Sequence, residues 1–350
     1  MRYRLLACLL LLTANVFSQA IVKEKLDDYL SYIEKNSGGL GNVSIYKNGK
    51  EVYNRSFGQD KLEGVQYNKN TTYQVASVTK MITAILVLQL VEEGKLPLDT
   101  KLSEFFPAIP NSNKITIKNM LEHTSGLGNF AIKDGVIWVL DKVSEEDIMD
   151  VIIQQGTSFE PNEKVAYSNS AYVLLRMILE KKYQKGYHEI VAQKITKPLH
   201  LKNFASVKSA PTNTFKSYKF SAGHWTEMKD MEYTNVIGVG DIASTTQDLN
   251  IVITSLFQHT LIKPATLALM VPTVGKEDWG RGLALFEYGN NVFFGHGGDV
   301  LGSHTRLIYN PKDKISICYA TNGERVPTNV FLENIVDIVY QLPFELPTIK

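Results

Sequence analysis

The sequence predicts an α/β (α+β) protein: one antiparallel sheet built from both ends of the chain, flanked by helices, with an all-α lobe inserted between. Strand patterns gather near the two termini, at residues 42–56 and 282–319, while the stretch from about 80 to 235 is mostly helical in pattern. No internal repeat, low-complexity tract or long linker divides the 350 residues. A single domain is therefore expected over 21–350, with a sheet lobe over 21–76 and 240–350 and a helical lobe over 77–239.

The first 20 residues read as an export signal outside the fold. Arg2 and Arg4 give a basic start, Leu5 to Leu12 an apolar centre too short to span a bilayer, and Ser18-Gln19-Ala20 a small-residue cleavage site. Residues 22–35 follow as an amphipathic helix with Leu26, Tyr29, Leu30 and Ile33 on one side, ended by Ser37-Gly38-Gly39. Next comes a hairpin, Asn42–Lys47 and Glu51–Ser56, turned by Asn48-Gly49, whose residues both tolerate positive φ. Thr72–Val75 is strand-like, and Met81–Val91 is too long and evenly apolar for a strand, so it is a buried helix of about four turns. Tyr167-Ser168-Asn169 forms a turn ahead of the helical run Ala171–Leu179. Strands are expected over Gly282–Glu287, Asn291–His296, Thr305–Tyr309 and Ile315–Tyr319, and a helix over about Asn329–Gln341 closes the chain.

Without Arg2 and Arg4 the 37 basic residues become 35 against 36 acidic ones, a formal charge of −1. No basic tract interleaved with aromatics exists, which argues against nucleic acid as a partner. Once the leader carrying Cys8 is removed, Cys318 alone remains, so no intrachain disulfide forms, and its alternating strand context makes it a small core residue. The seven histidines include no His-Glu-x-x-His or Cys/His cluster, and neither a metal site nor a cofactor is expected.

Chemistry is suggested in three places. Ser77 and Lys80 lie three residues apart at the start of the buried helix, on one face and within mutual reach. A hydroxyl is a weak nucleophile until a base takes its proton, and a lysine in dry surroundings loses its charge and becomes such a base. Tyr167 and Asn169, one residue apart on a turn, offer a phenol able to relay a proton if a neighbouring cation lowers its pKa, and an amide able to hold a carbonyl. Gly295-His296-Gly297-Gly298 ends a strand, its glycines leaving no side chain between the sheet edge and an approaching acyl group. Each has a plainer explanation alone: a helix cap with a stray lysine, an N-cap, and a histidine in a turn.

In this order, at separations of 90 and 129 residues, the three motifs resemble those of the penicillin-recognising serine hydrolases. The Tyr-x-Asn pair points to the class C β-lactamase branch, with its D-alanyl-D-alanine carboxypeptidases, D-aminopeptidases and esterases. Leu121-Glu-His-Thr-Ser-Gly-Leu127 and Gly238–Leu249 resemble flanking segments of that branch, so the resemblance covers about residues 25 to 340. It implies a β-lactamase/transpeptidase-like fold with a cleft between the lobes and His296 on the sheet edge. It also implies Ser77 as nucleophile, Lys80 as activating base, Tyr167 as proton relay, and Asn169 orienting Lys80 and a substrate carbonyl. The backbone N–H groups of Ser77 and Asp299 would form the oxyanion hole. Which of Lys80 and Tyr167 takes the first proton stays open.

The third motif departs from β-lactamases, which carry Lys-Thr-Gly where this chain has His296-Gly297-Gly298. Histidine, with a pKa of about 6.5, is mostly neutral where lysine is charged, and Gly297 removes a hydroxyl. The expectation is an exported serine peptidase or esterase, D-stereospecific like the branch it resembles, acting on small molecules or short peptides, peptidoglycan fragments among them. A β-lactamase is the alternative enzyme, and a non-turnover penicillin-binding sensor the alternative of another class.

Overall fold

The computed structural model describes residues 22–62, 67–207 and 213–349; the expected export signal, with Cys8, lies outside the described residues. Helix α1 (residues 22–35) leads into the hairpin of β1 (Gly39–Lys47) and β2 (Lys50–Phe57), then β3 (Tyr73–Gln74) and α2 (Thr79–Glu92). The middle of the chain holds α3 (Ile117–Leu121), the hairpin β4 (Ile132–Lys133) and β5 (Val136–Ile137), α4 (Glu145–Gln155) and α5 (Asn169–Tyr183). It continues through α6 (Tyr187–Val191), β6 (Phe204–Ser206) and the hairpin β7 (Tyr218–Ser221) and β8 (His224–Glu227). β9 (Ile242–Ser244), α7 (Thr246–Phe257) and α8 (Pro264–Met270) return the chain to the sheet. There it forms β10 (Ala284–Tyr288), β11 (Asn291–Val300), β12 (Ser303–Asn310), β13 (Ile315–Glu324) and a last helix, α9 (Thr328–Val339).

Both chain ends meet in one six-stranded antiparallel sheet of order β10-β11-β12-β13-β1-β2, with β13 paired to β1 from Gly39↔Glu324 to Lys47↔Ile315. The first hairpin turns at Asn48 (φ 52°) and Gly49 (φ 76°), the two positive dihedrals that match the twist of its strands. The sheet is buried on both faces by period-two alternation. Phe293, Ile308, Ile317 and Tyr319 pack under α1 and α9, while Phe294, Leu307, Tyr309 and Cys318 pack toward α2 and α7. Helix α2 is apolar all round, as a helix enclosed by other elements must be.

The inserted lobe is not all-α. It carries the hairpins β4–β5 and β7–β8, and β6 joins β3 and β9 in a three-stranded sheet. Asp134 (φ 52°) and Gly135 (φ 79°) turn the first of these hairpins by the same Asx-Gly chemistry as Asn48-Gly49. Strand β11 also runs on through the glycines to Val300 instead of ending at His296, because Gly298 and Asp299 find partners in Thr305 and His304 of β12. Among the described residues no helix is long and apolar enough to cross a membrane.

Candidate active site

Ser77 sits in a single 3₁₀ turn, Ala76–Val78, that joins β3 to α2. Ala76 before it takes φ +46°, a left-handed conformation that costs a non-glycine residue and is kept where the surroundings enforce it. One turn on, Lys80 is fully buried in α2; its Nζ lies 2.9 Å from Ser77 Oγ and donates to the Val239 carbonyl oxygen at 3.1 Å. Burial holds its pKa well below the ordinary lysine range, which favours the uncharged amine with its lone pair beside the Ser77 hydroxyl.

The turn that supplies the Val239 carbonyl is itself braced. Asp241 accepts from the Gly238 N–H at 2.7 Å and from the Ser206 hydroxyl, Thr83 Oγ1 donates to the Gly238 carbonyl at 2.6 Å, and Gln74 Nε2 donates to the Gly240 carbonyl at 3.3 Å. Asp241 is fully buried, and burial raises its carboxyl to about 6.

Tyr167 comes from the helical lobe, just ahead of α5, with Ser168 as the N-cap and Asn169 as the first helical residue rather than part of the turn. Its ring lies under the Lys80 amine (5.0 Å to the centroid) and is flanked by His123 at 4.4 Å, Trp279 at 5.4 Å and His296 at 6.4 Å. The ring borders the open cleft, yet desolvation raises the phenol pKa, with the Ser77 hydroxyl opposing the shift only in part. No cation lowers it: the Ser77 hydroxyl alone opposes the shift, and the nearby Asp299 carboxylate adds to it. Asn169 directs its amide to Asn129 Oδ1 at 2.9 Å, not to Lys80.

His123 had no assigned role in the sequence, although its segment resembled the family. It clamps the strip around Tyr167: its carbonyl accepts from the Ala166 N–H at 2.9 Å, its Nδ1 accepts from the Ser168 N–H at 3.1 Å, and its ring stacks on the phenol. Its φ of +58° puts a histidine in the left-handed region, a feature of the folded chain that no sequence periodicity reveals. Trp279, Asn129 and Arg306 also line the cleft and were likewise missed.

Strand β11 is the second strand of the sheet, not its edge. β10 pairs only as far as Gly295, so from His296 onward that flank of β11 faces the Ser77 turn and makes a local edge. Gly298 is buried there; a Cβ on it would press on the Val75 carbonyl oxygen and lie 2.9 Å from the Ser77 nitrogen. Its bare Cα lets β11 seat directly against the Ser77 turn. His296 is 1% exposed, donates from Nδ1 to the Gly297 carbonyl at 2.5 Å, and is pushed down to about 3 chiefly by burial, so its ring is neutral. Arg306 stands against Gly297, but its Nη1 already donates to Asp299 Oδ1 (2.9 Å), the Gly298 carbonyl (3.3 Å) and the Thr305 carbonyl (2.9 Å).

Ser77, Tyr167, Asn169, His296, Gly297 and Asp299 border one open cleft of about 560 Å³, with Lys80 beneath Ser77. The arrangement brings the Ser77 hydroxyl, the Lys80 amine and the Tyr167 phenol to one point. Among the described residues no group of three or more His, Cys, Asp or Glu side chains is placed to hold a metal ion.

Comparison with known proteins finds relatives in sequence and in fold. Teichoic acid D-alanine hydrolase of Staphylococcus aureus (strain MRSA252) is 28% identical over 244 residues, 69% of this chain and 59% of the relative, so the chain matches about three-fifths of that protein's length. The D-amino acid amidase of Ochrobactrum anthropi SV3, solved with L-phenylalanine amide, superposes with a TM-score of 0.80 at 21% identity, covering 93% of this chain and 99% of that one. The octameric penicillin-binding protein homologue of Pyrococcus abyssi gives 0.78 at 22% identity, over 91% and 77%. These two likenesses concern the fold. The Beta-lactamase family profile matches residues 31–339, nearly all of the described structure, and the chain belongs to that family.

Proposed function

We propose that this protein is an exported serine hydrolase that cleaves D-aminoacyl amides or esters through an acyl-Ser77 intermediate. The observation that carries the reading is the neutral, fully buried Lys80 amine 2.9 Å from Ser77 Oγ at the floor of an open cleft. Ser77 Oγ attacks the substrate carbonyl while its proton passes to Lys80, the one of the two candidate bases whose pKa is shifted toward its proton-free form. The C–N or C–O bond breaks, and the leaving group takes the Tyr167 proton, which protonated Lys80 replaces. Water then attacks the acyl carbon, gives up a proton by the same route, and Ser77 Oγ–H is restored. In this reading the Ser77 and Asp299 N–H groups hold the oxyanion, a contribution of about 3 kcal/mol for each such donor. The seating of β11 on the Ser77 turn supports that pairing.

Amides and esters are favoured over β-lactams by the third motif. His296 is buried and neutral, Gly297 has no hydroxyl, and the Arg306 guanidinium is engaged by Asp299. A charge-assisted hydrogen bond is worth roughly 1.5–3 kcal/mol, so lacking one costs a carboxylate-bearing β-lactam about one to two orders of magnitude in acylation. Two similar proteins, a teichoic acid D-alanine hydrolase and a D-amino acid amidase, support the acyl class by the activities they are named for. Export is supported by the basic and apolar start of the chain ahead of Ser18-Gln19-Ala20.

A hydrolysis panel on residues 21–350 tests the reading, with p-nitrophenyl esters, D-amino-acid p-nitroanilides and nitrocefin side by side. Turnover of the first two, absent in Ser77→Ala, is the expected result. Nitrocefin turnover matching the best ester would restore a β-lactamase, and labelling of Ser77 without turnover would make the protein a sensor.

A further inference from the structure

Ser77 stands on the wall between two hollows. One is the cleft that holds Tyr167, Trp279 and Arg306. The other is a recess of about 190 Å³ lined mainly by apolar groups, among them Phe130, Ile132, Ile137, Val139, Met231 and Val236. The two share Ser77, Asn129, Asn169 and Asp299, so a carbonyl held at Ser77 has its two substituents directed into different surroundings.

Proton delivery decides which substituent goes where. The departing group must take a proton from Tyr167, which borders the cleft and not the recess. The part that stays on Ser77 therefore lies in the recess. We propose that the recess is an acyl subsite for a bulky apolar group of about four to six carbons, so that this chain prefers such acyl groups to alanyl or acetyl. The proposal rests on the reading above and specifies its substrate class.

The hairpin β4–β5 gives independent support. Ile132 and Ile137 face each other across it, 41% and 52% exposed, an apolar pair that core packing does not explain. Both border the recess. The hairpin is a fixed wall, because Gln155 Nε2 donates to the Ile132 carbonyl at 2.7 Å, and Trp138 Nε1 donates to the Phe130 carbonyl at 2.5 Å. The charged group in the lining, Asp299, is already paired with Arg306 and His304, so nothing there rewards a charged side chain on the acyl group. At roughly 30 Å³ per water in the liquid, an alanyl methyl would leave most of the recess to solvent, while a longer chain would empty it.

The test compares p-nitrophenyl acetate with hexanoate, and D-alanyl with D-leucyl p-nitroanilide, on the wild type, Ile132→Ser, Ile137→Ser and the double variant. Covalent labelling of Ser77 by p-nitrophenyl methylphosphonate and hexylphosphonate esters, whose alkyl group occupies the acyl position, is run in parallel. The wild type should favour the larger acyl group by about tenfold or more in kcat/KM. The double variant should lose that preference while keeping its rate on acetate within about twofold; both side chains are exposed, so the fold tolerates the change. Equal rates for small and large acyl groups, a preference unchanged in the double variant, or a preference for a long alcohol instead of a long acyl chain would each overturn the proposal. Should no substrate turn over, the hydrolase reading falls, and the hexyl-to-methyl labelling ratio still decides the subsite. Absence of any labelling would remove both.

Discussion

Lys80 and Tyr167 are displaced from their ordinary titration ranges in opposite directions, each chiefly by desolvation, although Lys80 is fully buried and Tyr167 remains 38% exposed. Loss of water disfavours whichever form is charged, so the amine rests as a base and the phenol as an acid. That division of labour could not be read from the sequence, which gives the two residues but not the dryness around each. It makes a sign prediction for the pH profile. Turnover should fall on the acid side as Lys80 takes up a proton, and His296, already neutral down to about 3, should not set that limb. Lys80→Ala and Tyr167→Phe should each lower kcat by about a hundredfold or more. The double variant should be little worse than the worse single one, because the residues pass the same proton. Pre-steady-state and steady-state rates on one ester would show this; a double variant that loses the full product of the single effects would mean independent roles.

At the level of elements, the nucleophile is placed by two turns packed on α2 and by one bare strand. Gly298→Ala should push β11 off the Ala76–Val78 turn, since its Cβ would meet backbone, which cannot swing aside as a flexible side chain does. A kcat loss much larger than the change in Tm is expected, and wild-type turnover from this variant would show that the contact does not position Ser77. Asp241 makes a stability prediction. Its folded carboxyl sits at about 6, above the unfolded value of 3.8, so protonation favours the fold. That contribution is fully present below 3.8 and lost as pH rises through about 6. Relative to Asp241→Asn, which does not titrate, the wild type should therefore lose Tm between about pH 4 and pH 6 and little more above that; parallel thermal scans giving a constant difference would refute the buried carboxyl.

What was legible at this scale followed from range. The Asn48-Gly49 hairpin and the long apolar run of α2 are written in adjacent residues, and both are evident there. The run of β11 through Gly297 and Gly298 was not, because its partners lie beyond the Leu301-Gly302 turn and glycine itself favours no strand. His123 stayed hidden for the same reason, since it bonds Ser168, 45 positions away. The β4–β5 hairpin, by contrast, was legible in Asp134-Gly135 and was passed over because its strands are only two residues long.

For the whole molecule, the strand that closes the sheet is also the best reporter of its cooperativity. β13 joins the two ends of the chain, with β1 on one side and β12 on the other, and Cys318 lies in its middle, paired with Ser44 and Leu307. The thiol is fully buried, and burial holds its pKa well above the ordinary range, so neither access nor thiolate is available in the native state. In a chain beginning after residue 20 it is the sole cysteine. Fraying at α9 or α1 uncovers the opposite face, the one that carries Ile317 and Tyr319, and leaves Cys318 covered by α7 and the helical lobe. Its labelling by an aromatic disulfide should therefore need the sheet to part from α7, which breaks the junction of both lobes at once. Measured in low concentrations of urea, the labelling free energy should fall with the same slope as global unfolding followed by far-UV circular dichroism. A markedly shallower slope would mean that β13 is reached by a partial opening, and that the two ends of the chain are not locked into one cooperative unit.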